Sequence, residues 1–127
     1  MATWLETNAM DGVLSYIKDN AAHVWLLDNY IQGQDYATVE ANKVGEAAVS
    51  DGDFTGPAPD GLNRKMNFNG KSGMASADSV VSNLHVAIVS GSEVLICTNE
   101  TSNQAIYSGN PLTFSLFTIT VNQPTQV

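Results

Sequence analysis

The stretch Asn83–Asn99, NLHVAIVSGSEVLICTN, decides the fold class. Two apolar runs, Leu84–Val89 and Val94–Cys97, flank Ser90-Gly91-Ser92. Runs of this length, rich in β-branched residues and split by a short Gly-containing loop, predict a β-hairpin. Working toward the C-terminus, LTFSLFTITV (112–121) alternates twice. Leu112, Phe114 and Leu116 share one face, whereas Phe117, Ile119 and Val121 share the other. Because strand side chains have period two, that change of phase requires either a bulge or a strand that crosses between sheets. Working toward the N-terminus, RKMNFNG (64–70) puts Met66 and Phe68 on one face. HVWLLDNY (23–30) is rich in strand formers with apolar residues on both faces. YATVEANKVGEAAVS (36–50) is mixed: Glu40 and Lys43 suit a helix, while Thr38, Val39, Val44 and Gly45 favour extended chain, and it is read as β.

One segment breaks the β pattern. In NAMDGVLSYIKDNAA (8–22), Met10, Val13, Leu14, Ile17 and Ala21 recur at helical spacing, with Asn8 as N-cap and Asp11 near the positive end of the dipole. Gly12 weakens this helix by about 1 kcal/mol. The fold expected is mostly β: a β-sandwich or barrel-like single domain with one N-terminal amphipathic α-helix. Its parts are an arm over 1–8, the helix over 9–21, a β-sandwich over 23–121 and a loose polar tail over 122–127.

With 127 residues the chain suits one modest core. Apolar residues make up 43 % and charged ones only 14 %, the balance being Ser, Thr, Asn and Gly, which suit solvent faces and turns. Thirteen acids against five bases give a formal net charge of −8. That charge leaves no electrostatic footprint for nucleic acid and disfavours an anionic membrane surface. Residues 1–12 lack the basic and apolar regions of a signal peptide, and no window is long and apolar enough to span a bilayer, so synthesis in the cytoplasm without export is expected.

Several motifs invite a chemical reading. SDGDFTGPAPDGLNRK (50–65) holds three aspartates, three glycines and two prolines. A calcium loop starting at Asp51 would place Gly56 well, but Leu62 stands where the bidentate Glu belongs, so the segment is read as a pair of turns. His23 and His85 lie among apolar neighbours without ligand spacing, and no metal or cofactor is expected. Cys97, the single cysteine, reads as a small buried hydrophobe. GKSG (70–73) lacks the upstream glycine of a phosphate loop and reads as a polar turn. NET (99–101) matches a glycosylation sequon but carries no weight without secretion. Trp4, Trp25, Tyr30, Tyr36 and Tyr107 are candidates for a sugar-stacking platform, with core or interface packing the alternative. No catalytic residues are assigned, and no enzymatic activity is expected.

Three stretches in order, MDGVLSYIKDNAAHVWLL (10–27), AVSDGDFTGPAPDGLNRKMNFNGKSG (48–73) and NLHVAIVSGSEVLICTNETSNQAIYSGNPLTF (83–114), resemble a family of small proteins from the virion structural region of tailed phages and prophages. Members open with a helix end like NYIKTNA, matched here by SYIKDNA. They continue with an SDFT…GRK segment and an HVALV…LLYVTTC-x-SQALTAGN segment, matched by SDGDFTGP…NRK and HVAIV…VLICTNETSNQAIYSGN. The likeness covers roughly residues 10 to 120. Leu27–Asp35 departs from the pattern, as does Asn63 before the Arg, and these positions could carry a surface particular to one virion.

The resemblance implies a structural part of the particle rather than an enzyme. Capsid decoration (a cement protein on the outside of the assembled head) is the expected role, with the major capsid protein as partner. A tail or neck component and a carbohydrate-binding module on the particle surface are the alternatives. Symmetric capsid sites favour closed homo-oligomers, a trimer suiting a threefold position. Trp4, Leu5, Trp25 and Tyr30 are the expected capsid or subunit contacts, with Trp4-Leu5 either an anchor or a staple onto its own helix.

Overall fold

A computed structural model describes residues 4–79, 84–99 and 106–124. The beginning of the arm (1–3), the end of the sequon (100–101) and the end of the tail (125–127) lie outside the described residues. In chain order the elements are α1 (Thr7–Asn20), β1 (His23–Leu27), α2 (Tyr36–Ala41), β2 (Lys43–Ala48), a 3-10 turn (Asp51–Asp53), β3 (Phe54–Asp60), β4 (Asn63–Phe68), β5 (Lys71–Ala75), β6 (His85–Val89), β7 (Val94–Asn99), β8 (Pro111–Phe114) and β9 (Phe117–Val121). The strands form a six-stranded sheet A, ordered β7-β6-β1-β2-β5-β8, and a three-stranded sheet B, ordered β3-β4-β9. All pairings are antiparallel. The molecule is mostly β with one long helix, and its two sheets do not close into a barrel.

The predicted hairpin forms as β6 and β7, its turn held by Ser90, whose Oγ accepts the N–H groups of Ser92 (3.1 Å) and Glu93 (2.9 Å). The phase change after Leu116 is a sheet crossing. β8 ends sheet A, two residues intervene, and β9 begins the other sheet. The β4–β5 link is equally short, so the two sheets are joined twice by two-residue links. Helix α1 crosses one end of sheet B, touching β3, β4 and β9. It reaches the β6–β7 turn, where the Tyr16 hydroxyl donates to Glu93 (2.5 Å). Met10, Leu14 and Ile17 are buried beneath it. Burying three such side chains contributes roughly 5–9 kcal/mol, several times the cost of Gly12.

Strand β1 explains why its sequence is apolar on both faces. Val24 and Leu26 enter the core between the sheets, with Phe54, Met66, Phe68 and Ile119. Trp25 and Leu27 enter a second core on the outer face of sheet A, with Ala87, Val89 and Val39 of α2.

Several expectations need correction. The helix starts at Thr7 with Glu6 as N-cap, so Asn8 lies inside it, and Val13 faces solvent, 51 % exposed. Tyr36–Ala41 is helical rather than β. Asp35 caps it by accepting the Thr38 N–H (2.9 Å), and burial of Val39 outweighs the strand preference of Thr38 and Val39. The interior of 50–65 is strand β3 rather than turns. Gly56 sits there at φ +120°, where a Cβ would press on the Lys65 carbonyl and the Met66 backbone. The GKSG segment turns only at Asn69-Gly70 and then continues as β5. The polar tail is tied at Gln123. Its side-chain amide accepts from the Leu5 N–H (3.0 Å) and donates to the Leu5 carbonyl (2.6 Å).

Candidate functional site

The structure separates the four contact residues nominated from sequence. Trp4 is 59 % exposed beside the Gln123 clamp that pins the Leu5 backbone, so it stands at the surface without folding back as a free arm. Trp25 is only 2 % exposed and cannot be a contact residue. Its ring lies 5.2 Å from that of Tyr36, with the Lys43 ammonium 5.2 Å from its centroid. A Trp at the centre of a six-stranded sheet is covered as soon as one helix crosses that face, and α2 does so. Tyr30 is half-buried, its ring 5.9 Å from His85. Trp25, Tyr30 and Tyr36 therefore do meet, but as packing around a second core and not as an open sugar platform. Trp25 Nε1 and His85 Nε2 are buried there without hydrogen-bond partners.

Of the three aspartates in 50–65, Asp53 is the one engaged by its neighbours, while Asp51 and Asp60 are exposed. Asp53 accepts the Ser50 N–H (2.9 Å) and both its oxygens accept from Lys71 (3.1 and 3.0 Å). Partial burial would raise the Asp53 pKa, but the Ser50 N–H and the Lys71 ammonium outweigh it and hold the carboxyl below its ordinary range. Asp35 is also lowered, by its hydrogen bonds to Thr38. Cys97 is half-buried in β7, and desolvation pushes its thiol up to about 11. At neutral pH that sulfur stays protonated, and a thiol is a poor nucleophile.

The geometry instead presents a surface. Helix α2 and its flanking loop cover the outer face of sheet A over β1 and β6, with Val94 and Cys97 of β7 packed against the same cluster. Over β2, β5 and β8 the same face is bare: Ala48, Ser72, Met74, Pro111 and Thr113 are exposed, Met74 by 57 %. Trp25, Glu46, Met74 and Pro111 stand in one cross-strand row, so the cover ends between Trp25 and Glu46. The Lys43–Glu46 ion pair (2.8 Å) lies on that border. Ser72 and Thr113 also line a shallow groove of about 600 Å³ with Asn69, Ser115 and Leu116. Face and groove together offer hydroxyl and amide groups, apolar contact at Met74 and Leu116, and one ammonium, Lys71, already paired with Asp53.

Glycines set the local shape. A Cβ at Gly73 would run into the Glu46 carbonyl and the Phe114 ring, and one at Gly45 into Leu112, so β2, β5 and β8 approach closely only because these positions are bare. Reading GKSG as a turn hid this surface. The signal available in sequence was the alternation of KSGMA, which puts Ser72 and Met74 on one face. No helix among the described residues is long and apolar enough to cross a membrane. Compared with known proteins, the chain matches no family model, no curated protein and no solved structure.

Proposed function

We propose that the chain is a phage virion structural protein of the capsid-decoration type, which binds the outside of the assembled head and stabilises it. The observation that carries this reading is the bare, nearly uncharged half-face over β2, β5 and β8, presented by a module packed on both sides of its main sheet. A flat sheet face with hydroxyls, one methionine and a neighbouring groove suits attachment to a preformed surface. Its lack of net charge avoids desolvating unpaired ions on docking. The −8 charge lies elsewhere and keeps the free protein soluble before it docks. The resemblance of its ordered motifs to those of small phage virion proteins favours the same reading. Trp4 and Leu62 are both exposed, and each adjoins a residue bonded to Gln123, Leu5 in one case and Asn63 in the other.

The test uses purified particles and heads that lack the protein. Full-length chain added back should bind in hundreds of copies per head and raise heat resistance, and Met74→Glu with Thr113→Glu should abolish binding while the free chain still folds. Recovery at about a dozen copies per particle would move the protein to the neck or tail, and its absence from virions would end the proposal.

A further inference from the structure

We infer that two copies of this chain pair through β9, edge to edge and antiparallel about a twofold axis, joining their three-stranded sheets into one sheet of six strands. The inference goes beyond the proposed function, because it concerns the purified chain in solution and stands or falls without any virion.

An unpaired sheet edge presents a row of free N–H and C=O groups, and proteins guard such edges with prolines, charges or bulges. Three of the four edges here are guarded. β3 carries Pro57 and Pro59 and a register break between Thr55 and Ala58. β7 carries a register break opposite Ile88 and Val89. β8 opens with Pro111, which has no N–H to offer. β9, Phe117-Thr-Ile-Thr-Val121, has no proline, no charge and five unbroken pairs with β4. Its backbone bonds to β4 and, among the described residues, to nothing else. Helix α1 does not run along this edge, since it touches all three strands of the sheet and so crosses them.

A second copy is the occupant that the strand itself fits. With the axis at Ile119, Ile119 faces its own equivalent, Phe117 faces Val121 of the other copy, and Thr118 faces Thr120. Apolar residues then meet on the inner face and hydroxyls on the solvent face, where Thr118 and Thr120 are exposed. Two copies that each carry −8 repel one another, and a charge-free strand is where that repulsion is weakest. Pairing a strand with its own copy is isologous and closes at two, so this contact builds a dimer and not the trimer expected from capsid symmetry.

The experiment is sedimentation equilibrium of the full chain at high micromolar concentration. The wild type should show twice the 13.5 kDa chain mass. T118K/T120K sets lysines directly opposite each other across the axis and should halve the observed mass, with the far-UV circular dichroism unchanged. T118E/T120K sets glutamate opposite lysine and should restore the dimer. A wild type that sediments as a monomer or trimer overturns the inference. So does a dimer that survives T118K/T120K, or a T118E/T120K chain that stays monomeric while folded.

Discussion

Arg64 of β4 and Asp11 of α1 meet in a two-pronged ion pair, Nε to Oδ1 at 2.6 Å and Nη2 to Oδ2 at 3.0 Å, across 53 residues of chain. Both side chains are mostly buried, 18 % and 25 % exposed, and the pair fastens the helix to the central strand of sheet B. Arg64→Ala should lower unfolding stability by about 1–2 kcal/mol, the usual size for a part-buried charged hydrogen bond. Arg64→Lys should recover little of it, because an ammonium cannot reproduce the planar fork. Urea denaturation of the two variants measures both effects.

Three glycines should respond differently to alanine. Gly73→Ala drives a methyl into the Glu46 carbonyl and the Phe114 ring, with a cost of about 3 kcal/mol. Gly45→Ala meets first the end of the Leu112 side chain, which can swing aside, so about 1 kcal/mol is expected. Gly12→Ala meets nothing within 4 Å in the interior of α1 and should stabilise by about 0.5–1 kcal/mol. Thermal melts of the three variants should rank in that order.

Acid should weaken the β2–β3 turn through Asp53. Its folded pKa lies below the ordinary 3.8, so its contribution is complete above that value and disappears as pH falls through the lowered one. Asp53→Asn should therefore lower the melting temperature at pH 6 and flatten its decline between pH 4 and pH 2. Because Lys71 and Ser50 already occupy this carboxylate, EDTA should leave the melting temperature of the wild type unchanged.

Cys97, with its thiol pushed up to about 11, should react slowly with a disulfide reagent at pH 8. The same reagent should label it rapidly in denaturant, where burial no longer disfavours the thiolate. A folded chain that reacts as fast as the unfolded one would contradict the half-buried position in β7.

Gln123→Leu removes both bonds to the Leu5 backbone and should cost about 1–2 kcal/mol. Trp4→Ala should change stability by less than about 0.5 kcal/mol, since that side chain is mostly in solvent. If Trp4 contributes to particle attachment, this same variant weakens head binding without unfolding the chain.

Alternation and turn residues were enough to read the β6–β7 hairpin, the Met66–Phe68 face and the change of phase after Leu116, because each rests on the two-residue period of a strand. The helical spacing of Met10, Leu14 and Ile17 was equally local. Sequence alone thus determined a mostly β chain with one amphipathic N-terminal helix, and a β1 strand with two apolar faces. What lies against each face was decided only in three dimensions. The short helix at Tyr36 exists because Asp35 caps it and Val39 finds a pocket over Trp25, and that cover stops before Glu46 and leaves Met74 bare. Gln123 reaches Leu5 across almost the whole chain. Periodicity records which side of an element avoids water. It carries no record of the distant residue that will shield that side, since the partner is chosen by packing between segments far apart in sequence.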